Sequence, residues 1–137
     1  MPESLASLKL RYTDAESFTF GDSEELSGRL ILLVRQGRKV ATTGAYRDFD
    51  DGEPLPEPGR ADIVLDWSGD PALVIRTLEV RRCTFSEVTE EMALAEGEND
   101  SLEGWREDHR RFFARTGGFS PDMEIVWERF ALVEDLA

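Results

Sequence analysis

Two neighbouring stretches, residues 62–67 and 72–81, most constrain how this chain can fold. Each has the pattern of a strand, and residues 68–71 between them contain the glycine, aspartate and proline that are typical of a tight turn. Helical patterns lie before and after this pair of strands instead of between every two strands. Because strands and helices do not alternate strictly, we predict an α+β domain with a small curved sheet or barrel and flanking helices, not a doubly wound α/β fold.

An amphipathic helix is predicted before these strands. Its apolar stripe consists of Leu26, Leu30, Leu33 and Val34. Asp22 is placed to cap this helix, with Glu25 three residues later as in a capping box. Gly37 is placed to end it in the left-handed conformation. Residues 39–43, rich in β-branched side chains, then predict a strand.

The second half of the chain predicts two further helices and a last strand. A short helix is expected over residues 85–95, another begins after Asp100 or Ser101, and the last strand covers residues 123–133. One face of the second helix carries Leu102, Trp105, His109, Phe112 and Phe113. This spacing favours a stripe that faces the core, although such rings can also stack on a nucleobase. The loop of residues 48–60, rich in proline and glycine, is long enough to border a site.

The composition fits one domain in a reducing compartment. The chain has 137 residues, of which 40% are hydrophobic, and its longest apolar run, residues 30–34, is far too short to cross a bilayer. Residues 1–4 contain neither a basic leader nor an apolar signal core, and Cys83 has no cysteine to pair with, so we expect a cytoplasmic protein. One cysteine and one histidine exclude a zinc site built from these residue types alone.

Charge constrains the partners. The net charge of −13, from 16 basic and 29 acidic residues, disfavours coating of a long polyanion. Residues 26–47 nevertheless contain no acid, and a second basic cluster follows near residues 106–115. The cations of these two regions are Arg29, Arg35, Arg38, Lys39 and Arg47, and then Arg106, Arg110, Arg111 and Arg115. Either cluster could hold a small anionic or polar ligand, or be a solvated face that acids elsewhere offset.

Three segments together resemble the ASCH domain family, which belongs to the PUA-like superfamily of small β-barrels. The first, residues 20–42, includes Gly37, Lys39 and Thr42 and looks like the family's G-x-K-x-x-T element. The second, residues 95–113, and the third, residues 126–130, follow in the family's order. The resemblance spans residues 18–133 and is nearest to the longer bacterial branch. It implies an N-terminal extension, residues 1–17, followed by a single domain, residues 18–137.

The resemblance also implies a chemistry. A short bacterial ASCH protein with similar Lys, Thr and Glu motifs acts as an amidohydrolase on N4-acetylcytidine, which carries catalytic roles over to Lys39, Thr42 and Glu98. Thr42 would supply a hydroxyl, and Lys39 a base if burial beside arginines lets it lose its proton. Glu98 would donate a proton to the leaving N4 or hold that amine. Because residues i and i+3 of a flat strand face opposite sides, a pair of Lys39 and Thr42 needs a turn or bulge after Gly37.

Further residues are expected to contact the ligand, a small nucleoside or nucleotide. They are Arg38, Thr43, Tyr46, Arg47, Trp105, His109 and Arg129. The scheme needs no metal or other cofactor and no membrane, and it leaves a monomer and a homodimer open.

Two alternative functions stay open. The first is a protein that binds or cleaves single-stranded RNA, as described for a longer-branch member in which the lysine matching Lys39 matters. Ala114 stands where such members often have serine, which weakens the ribonuclease interpretation. The second alternative is a non-catalytic interaction domain.

Overall fold

A computed structural model describes residues 3–49 and 54–136 of the chain. Within them, five strands form a single sheet: β1 (Ser17–Thr19), β2 (Ala41–Ala45), β3 (Ala61–Leu65), β4 (Pro71–Thr84) and β5 (Glu124–Asp135). The described residues also form four α-helices: α1 (Leu5–Arg11), α2 (Glu24–Arg35), α3 (Glu90–Leu94) and α4 (Leu102–Arg115). The predicted α+β class is confirmed, and the predicted strands and turn around residues 62–81 are present as β3 and β4.

The sheet is curled into a half-barrel that is open on one side. Its strand order is β1-β3-β4-β5-β2, in which β1 runs parallel to β3 and the other neighbours are antiparallel. The register of β4 shifts at residues 74/75 and 77/79, and such bulges bend a sheet. The two edge strands, β1 and β2, are not bonded to each other, so the space between them can admit a ligand.

Local hydrogen bonds explain where the helices begin and end. Ser23, and not the predicted Asp22, caps α2, because its hydroxyl accepts from the backbone N–H of Leu26 at 3.2 Å. Asp22 instead accepts from Arg115 Nε at 2.6 Å. Gly37 has φ +75° and ends the helix region as predicted. The helix expected over residues 85–95 is wrong as a single element, since it is divided into a 3-10 turn, Phe85–Glu87, and the short α3.

The aromatic stripe of α4 packs into the core. Trp105 and Phe113 are buried against Phe85 and Trp127, and the Trp105 ring stacks on Phe85 at 5.3 Å between centroids. The helix α2 covers a second cluster around Phe130 on the sheet. These two core clusters hold α4 and α2 against the sheet, where Arg115 of α4 pairs with Asp22 before α2.

The sequence patterns missed two elements near the N-terminus. The strand β1 is only three residues long, and α1 lies within residues 1–17, to which no element was assigned. Leu8 of α1 is fully buried against Ile63 and Val74 of the sheet. No helix among residues 3–49 and 54–136 has both the length and the apolar character that crossing a bilayer requires.

Candidate functional site

Two adjoining cavities, each of about 320 Å³, lie at the open side of the half-barrel. This volume is near the lower end of about 300–1,000 Å³ for small-molecule sites. The cavities share one wall, made of Phe20, Gly21, Thr42, Thr43 and Phe112. The first cavity extends to Glu96, Glu98 and His109. The second extends to Arg60, Asp62 and Glu128, and the described part of the loop 48–60 lines it, whereas residues 50–53 lie outside the described residues.

Backbone contacts bring two distant segments together beneath the first cavity. Val40 donates its N–H to the carbonyl oxygen of Ala95 at 2.9 Å. Gly97 has φ +74°, and a Cβ there would lie 2.2 Å from the carbonyl oxygen of Arg38. Only glycine permits both the conformation and this approach. Residues 96–98 are therefore held directly against residues 38–40.

Lys39 lies in the segment between α2 and β2, after the turn at residues 36–37, and its amine is surrounded by acceptors. Only 1% of the side chain is exposed. Its Nζ donates to the Ala41 carbonyl oxygen at 2.8 Å and to Glu98 Oε2 at 2.9 Å, and it lies 3.6 Å from Glu96 Oε1. The expectation that arginines surround this amine is wrong, because its ion-pair partners are the carboxylates of Glu96 and Glu98.

Glu96 is the residue of this cluster that sequence reasoning missed. It is 1% exposed and accepts hydrogen bonds from Thr43 Oγ1 and Trp105 Nε1, each at 2.7 Å. Burial raises the pKa of Glu96, but the charge of Lys39 and the interactions with His109 and Thr43 more than offset it and hold the pKa below its ordinary value. The segment 95–100 was part of the family resemblance, yet its amino-acid sequence does not show which of its glutamates is buried.

His109 completes the cluster. Its Nδ1 donates to the Trp105 carbonyl oxygen at 2.9 Å, which leaves Nε2 3.5 Å from Glu96 Oε1. Burial lowers the pKa of His109, but the hydrogen bond and charge of Glu96 outweigh it and raise the pKa above its ordinary value of 6.5. The network thus brings the Lys39 amine and the His109 ring together with the carboxylates of Glu96 and Glu98.

The same cluster contains the donor atoms of a metal site. One ligand atom each from Glu96, Glu98 and His109 lies within 4.8 Å of the others. Lys39 Nζ is within 3.6 Å of both carboxylates, so a side chain already supplies the positive charge that a cation would bring. The arrangement fits an internal ammonium better than an added ion.

The three predicted catalytic residues are brought together in two layers. Glu98 and Thr42 line the first cavity, and the side chain of Glu98 is 17% exposed. Lys39 lies beneath and is bonded to Glu98, without being part of the cavity wall. Glu98 and Thr42 are therefore accessible from the cavity, whereas Lys39 contacts Glu98 from beneath.

Three of the predicted ligand-binding residues belong to this region. Thr43 lines both cavities and His109 lines the first. Trp105 is fully buried, and its ring is stacked on His109 at 4.2 Å between centroids. Its ring faces are covered by core contacts, so its part in the site is the hydrogen bond to Glu96.

The other four predicted ligand-binding residues, Arg38, Tyr46, Arg47 and Arg129, line neither cavity. Arg38 is exposed. The ring of Tyr46 lies 3.7 Å from the guanidinium carbon of another arginine, Arg82. Arg47 donates to the carbonyl oxygen of Gly118 at 2.7 Å, and Arg129 lies over the ring of Trp127. These contacts hold the turns and the outer side of the sheet.

The five cations of residues 26–47 do not share one surface. Lys39 is buried, Arg47 is bonded to the end of α4, and Arg35 Nε contacts Asp135 at 2.9 Å. Of the five, Arg29 alone lines a described cavity. An acid-free stretch of sequence is thus not a continuous basic patch here, since acids from distant segments lie beside it.

The second cavity has a polar floor. Glu128 is buried there and accepts from Thr77 Oγ1 at 2.8 Å. Burial raises the pKa of Glu128 above its ordinary value, although the Thr77 hydrogen bond opposes this. Beside it, Arg60 Nε and Nη2 each donate to Asp62 at 2.9 Å in a bidentate pair. This floor therefore offers a buried acid with a raised pKa beside the ion pair of Arg60 and Asp62.

The chain as a whole is similar to known proteins of one domain family. The family model of the ASCH domain matches residues 16–134. A solved structure of a protein from Enterococcus faecalis V583 is 36% identical with a TM-score of 0.80, and the match covers 89% of this chain and 78% of that one. The ASCH domain from Lactobacillus crispatus JV V101 is 31% identical with a TM-score of 0.80, over 91% of this chain and 83% of that one.

A more distant likeness concerns the fold alone. The hypothetical protein PH0355 is 19% identical with a TM-score of 0.57, over 86% of this chain and 100% of that one. A search of curated proteins found no match.

Proposed function

This chain belongs to the ASCH domain family, as its motifs predicted, and we propose that it is a cytoplasmic hydrolase of the N4-acyl amide of a cytidine-type nucleoside. The family points to hydrolase-like or RNA-binding roles. One observation supports the finer proposal most. Glu98 and Thr42 line one cavity, while Lys39 Nζ fixes the Glu98 carboxylate from below at 2.9 Å.

In the proposed reaction, Glu98 transfers the proton. Its carboxylate accepts a proton from a water molecule that attacks the acyl carbon, and the protonated Glu98 then gives that proton to N4 as the carbon–nitrogen bond breaks. The products are a free carboxylic acid and a cytidine with an unmodified amine. Thr42 contributes its hydroxyl, which hydrogen-bonds the attacking water or the acyl oxygen at the shared wall of the cavities.

Lys39 is a positioning residue in this scheme. A charge-assisted hydrogen bond from its ammonium orients Glu98, and the Ala41 carbonyl oxygen and Glu96 orient the ammonium. Glu96 is itself held by Thr43 and Trp105. This order, from a buried network to one partly exposed carboxylate, supplies the rigid support that a general base needs.

Turnover of N4-acetylcytidine by purified variants tests the proposal. Glu98→Gln keeps the shape of the side chain but removes the proton acceptor, so we expect kcat to fall by roughly 10²–10⁴-fold. Thr42→Val keeps the volume and removes the hydroxyl, with a smaller expected loss. Glu90→Gln makes the same chemical change at an exposed position outside both cavities and should leave the rate unchanged. Absence of turnover by the unmodified protein would overturn the proposal.

A second candidate function, binding or cleavage of single-stranded RNA, is favoured by the basic residues at the first cavity. Arg29, Arg111 and Arg115 all line it. Binding of a single-stranded RNA with a steep salt dependence, together with no turnover of N4-acetylcytidine, would support this candidate. If the unmodified protein neither hydrolyses N4-acetylcytidine nor binds or cleaves single-stranded RNA, a non-catalytic interaction domain is left.

A further inference from the structure

We infer that Arg29, Arg111 and Arg115 form a phosphate subsite at the first cavity, so that the preferred substrate is a nucleotide with a terminal phosphate and not the bare nucleoside. The inference rests on the proposed function and narrows its substrate class.

The three arginines come from two helices that meet at this cavity. Arg29 lies on α2, and Arg111 and Arg115 lie one turn apart on α4. All three line the first cavity together with the catalytic candidate Glu98. A nucleobase that reaches Glu98 would therefore have its sugar and phosphate within the same cavity that the arginines line.

Ion pairs orient two of these side chains without using up their donors. Arg115 donates Nε and Nη2 to Asp22 at 2.6 and 3.2 Å, and Arg111 Nη2 lies 3.0 Å from Glu107. A guanidinium has five N–H donors, so several stay available on each. Arg29 is exposed and makes no ion pair with any residue of the described chain.

The charge balance of the cavity favours an anion at these arginines. The acids deeper in the cavity, Glu96 and Glu98, already have partners: Lys39 Nζ lies within 3.6 Å of both, and His109 Nε2 lies 3.5 Å from Glu96. Near the arginines, Asp108 is the further acid of the lining, and it accepts a hydrogen bond from the Asn99 amide. The lining near the arginines thus holds three guanidinium groups and one acid, since Asp22 and Glu107, the partners of Arg115 and Arg111, lie outside the lining.

The chemistry of the donors selects the ligand. Planar guanidinium groups bind phosphate oxygens in pairs, and three of them suit a terminal phosphate with its two charges. The strongly negative net charge repels a long polyanion but affects one small dianion much less. A mononucleotide satisfies both conditions, and an RNA strand satisfies only the first.

The test measures binding apart from catalysis. By titration calorimetry, cytidine 5′-monophosphate, which has no acyl group, is expected to bind roughly tenfold more tightly than cytidine, because a charge-assisted contact is lost without the phosphate. Arg29→Ala and Arg111→Ala should each remove most of that preference. Arg110→Ala is the matched control, since Arg110 is the neighbouring residue of α4, also pairs with Glu107 and does not line the cavity.

The outcomes separate this inference from the proposed function. Equal binding of cytidine and its monophosphate, or a preference that survives both variants, overturns the subsite. A preference lost in the variants, without any hydrolysis of N4-acetylcytidine 5′-monophosphate, supports the subsite and overturns the amidohydrolase. Binding of a single-stranded oligoribonucleotide more tightly than the mononucleotide, with a steep salt dependence, overturns the commitment to a mononucleotide.

Discussion

Lys39 and Glu98 are 59 residues apart in sequence, yet Lys39 Nζ donates a hydrogen bond to Glu98 Oε2 at 2.9 Å. The contact joins the turn after α2 to the segment between α3 and α4. It also joins a fully buried cation to a carboxylate that lines a cavity. Stability and the proposed chemistry therefore depend on the same few atoms, and the two can be separated by suitable variants.

Replacing Lys39 by methionine should destabilise the protein strongly. Methionine fills a similar space but removes the ammonium, which leaves the buried carboxylate of Glu96 without its main counter-charge. Breaking a buried ion pair in this way costs about 3–5 kcal/mol. We expect the free energy of unfolding, measured by urea denaturation, to fall by that amount.

Two further variants make this measurement specific. Lys9 is the other lysine of the chain and is exposed, so Lys9→Met should change stability by less than about 0.5 kcal/mol. In the double variant Lys39→Met with Glu96→Gln, part of the loss should be recovered because the buried negative charge is gone. Equal losses in the single and double variants would contradict an electrostatic origin.

Gly97→Ala should separate the two segments of the site. The left-handed conformation alone costs a non-glycine residue roughly 1–2 kcal/mol. Gly37 has nearly the same φ, +75° against +74°, but a Cβ there meets nothing within 4 Å, whereas a Cβ on Gly97 would overlap the Arg38 carbonyl. Gly37→Ala therefore reports the conformational cost, and Gly97→Ala should lose about 1–3 kcal/mol more. Similar thermal shifts for the two would show that the close approach is unimportant.

Periodicity and turn residues were enough to predict most of the fold. The hairpin of β3 and β4, the apolar stripe of α2 and the aromatic stripe of α4 all follow from local patterns. The short strand β1 was not predicted because three residues are too few to show an alternating pattern. The cap of α2 was assigned one residue early, since Asp22 and Ser23 are both good caps and the choice depends on a contact with Arg115 from the far end of the chain.

Only the site residues that belong to the family motifs could be predicted from the sequence. Lys39, Thr42 and Glu98 were identified through a family resemblance, and the structure brings Thr42 and Glu98 to one cavity. Glu96 was not predicted because its role depends on its burial. Burial depends on how distant segments pack together, which local sequence patterns do not reveal. The basic character of residues 26–47 was misleading for the same reason, since acids from elsewhere in the chain pair with some of its members.

His109 should make stability depend on pH near neutrality. Its pKa in the folded protein is raised above 6.5, so the folded state favours the protonated ring. The stabilising contribution is complete below pH 6.5 and is lost as the pH rises through the raised value. We expect the difference in unfolding free energy between the wild type and His109→Gln to be larger at pH 6 than at pH 9. Since the chain has one histidine, a difference that stays constant with pH would refute this assignment.

Glu128→Gln should stabilise the protein at alkaline pH. Burial raises the pKa of Glu128 in the folded state, so ionisation costs more there than in the unfolded chain. The contribution of Glu128 to stability is therefore most favourable below the ordinary value of 4.5 and declines as the pH rises through the raised pKa. Glutamine cannot ionise, and its amide oxygen can still accept from the Thr77 hydroxyl.

Melting temperatures measured at pH 4 and pH 8 check this prediction. The gain of Glu128→Gln over the wild type should appear at pH 8 and vanish at pH 4, where the native side chain is protonated as well. Glu124→Gln makes the same change at an exposed position of the same strand, and no comparable gain is expected there. A loss of stability in Glu128→Gln at pH 8 would mean that the carboxylate is ionised and compensated in the folded protein. Arg60, which also lines the second cavity, would then be the cation to examine as its partner.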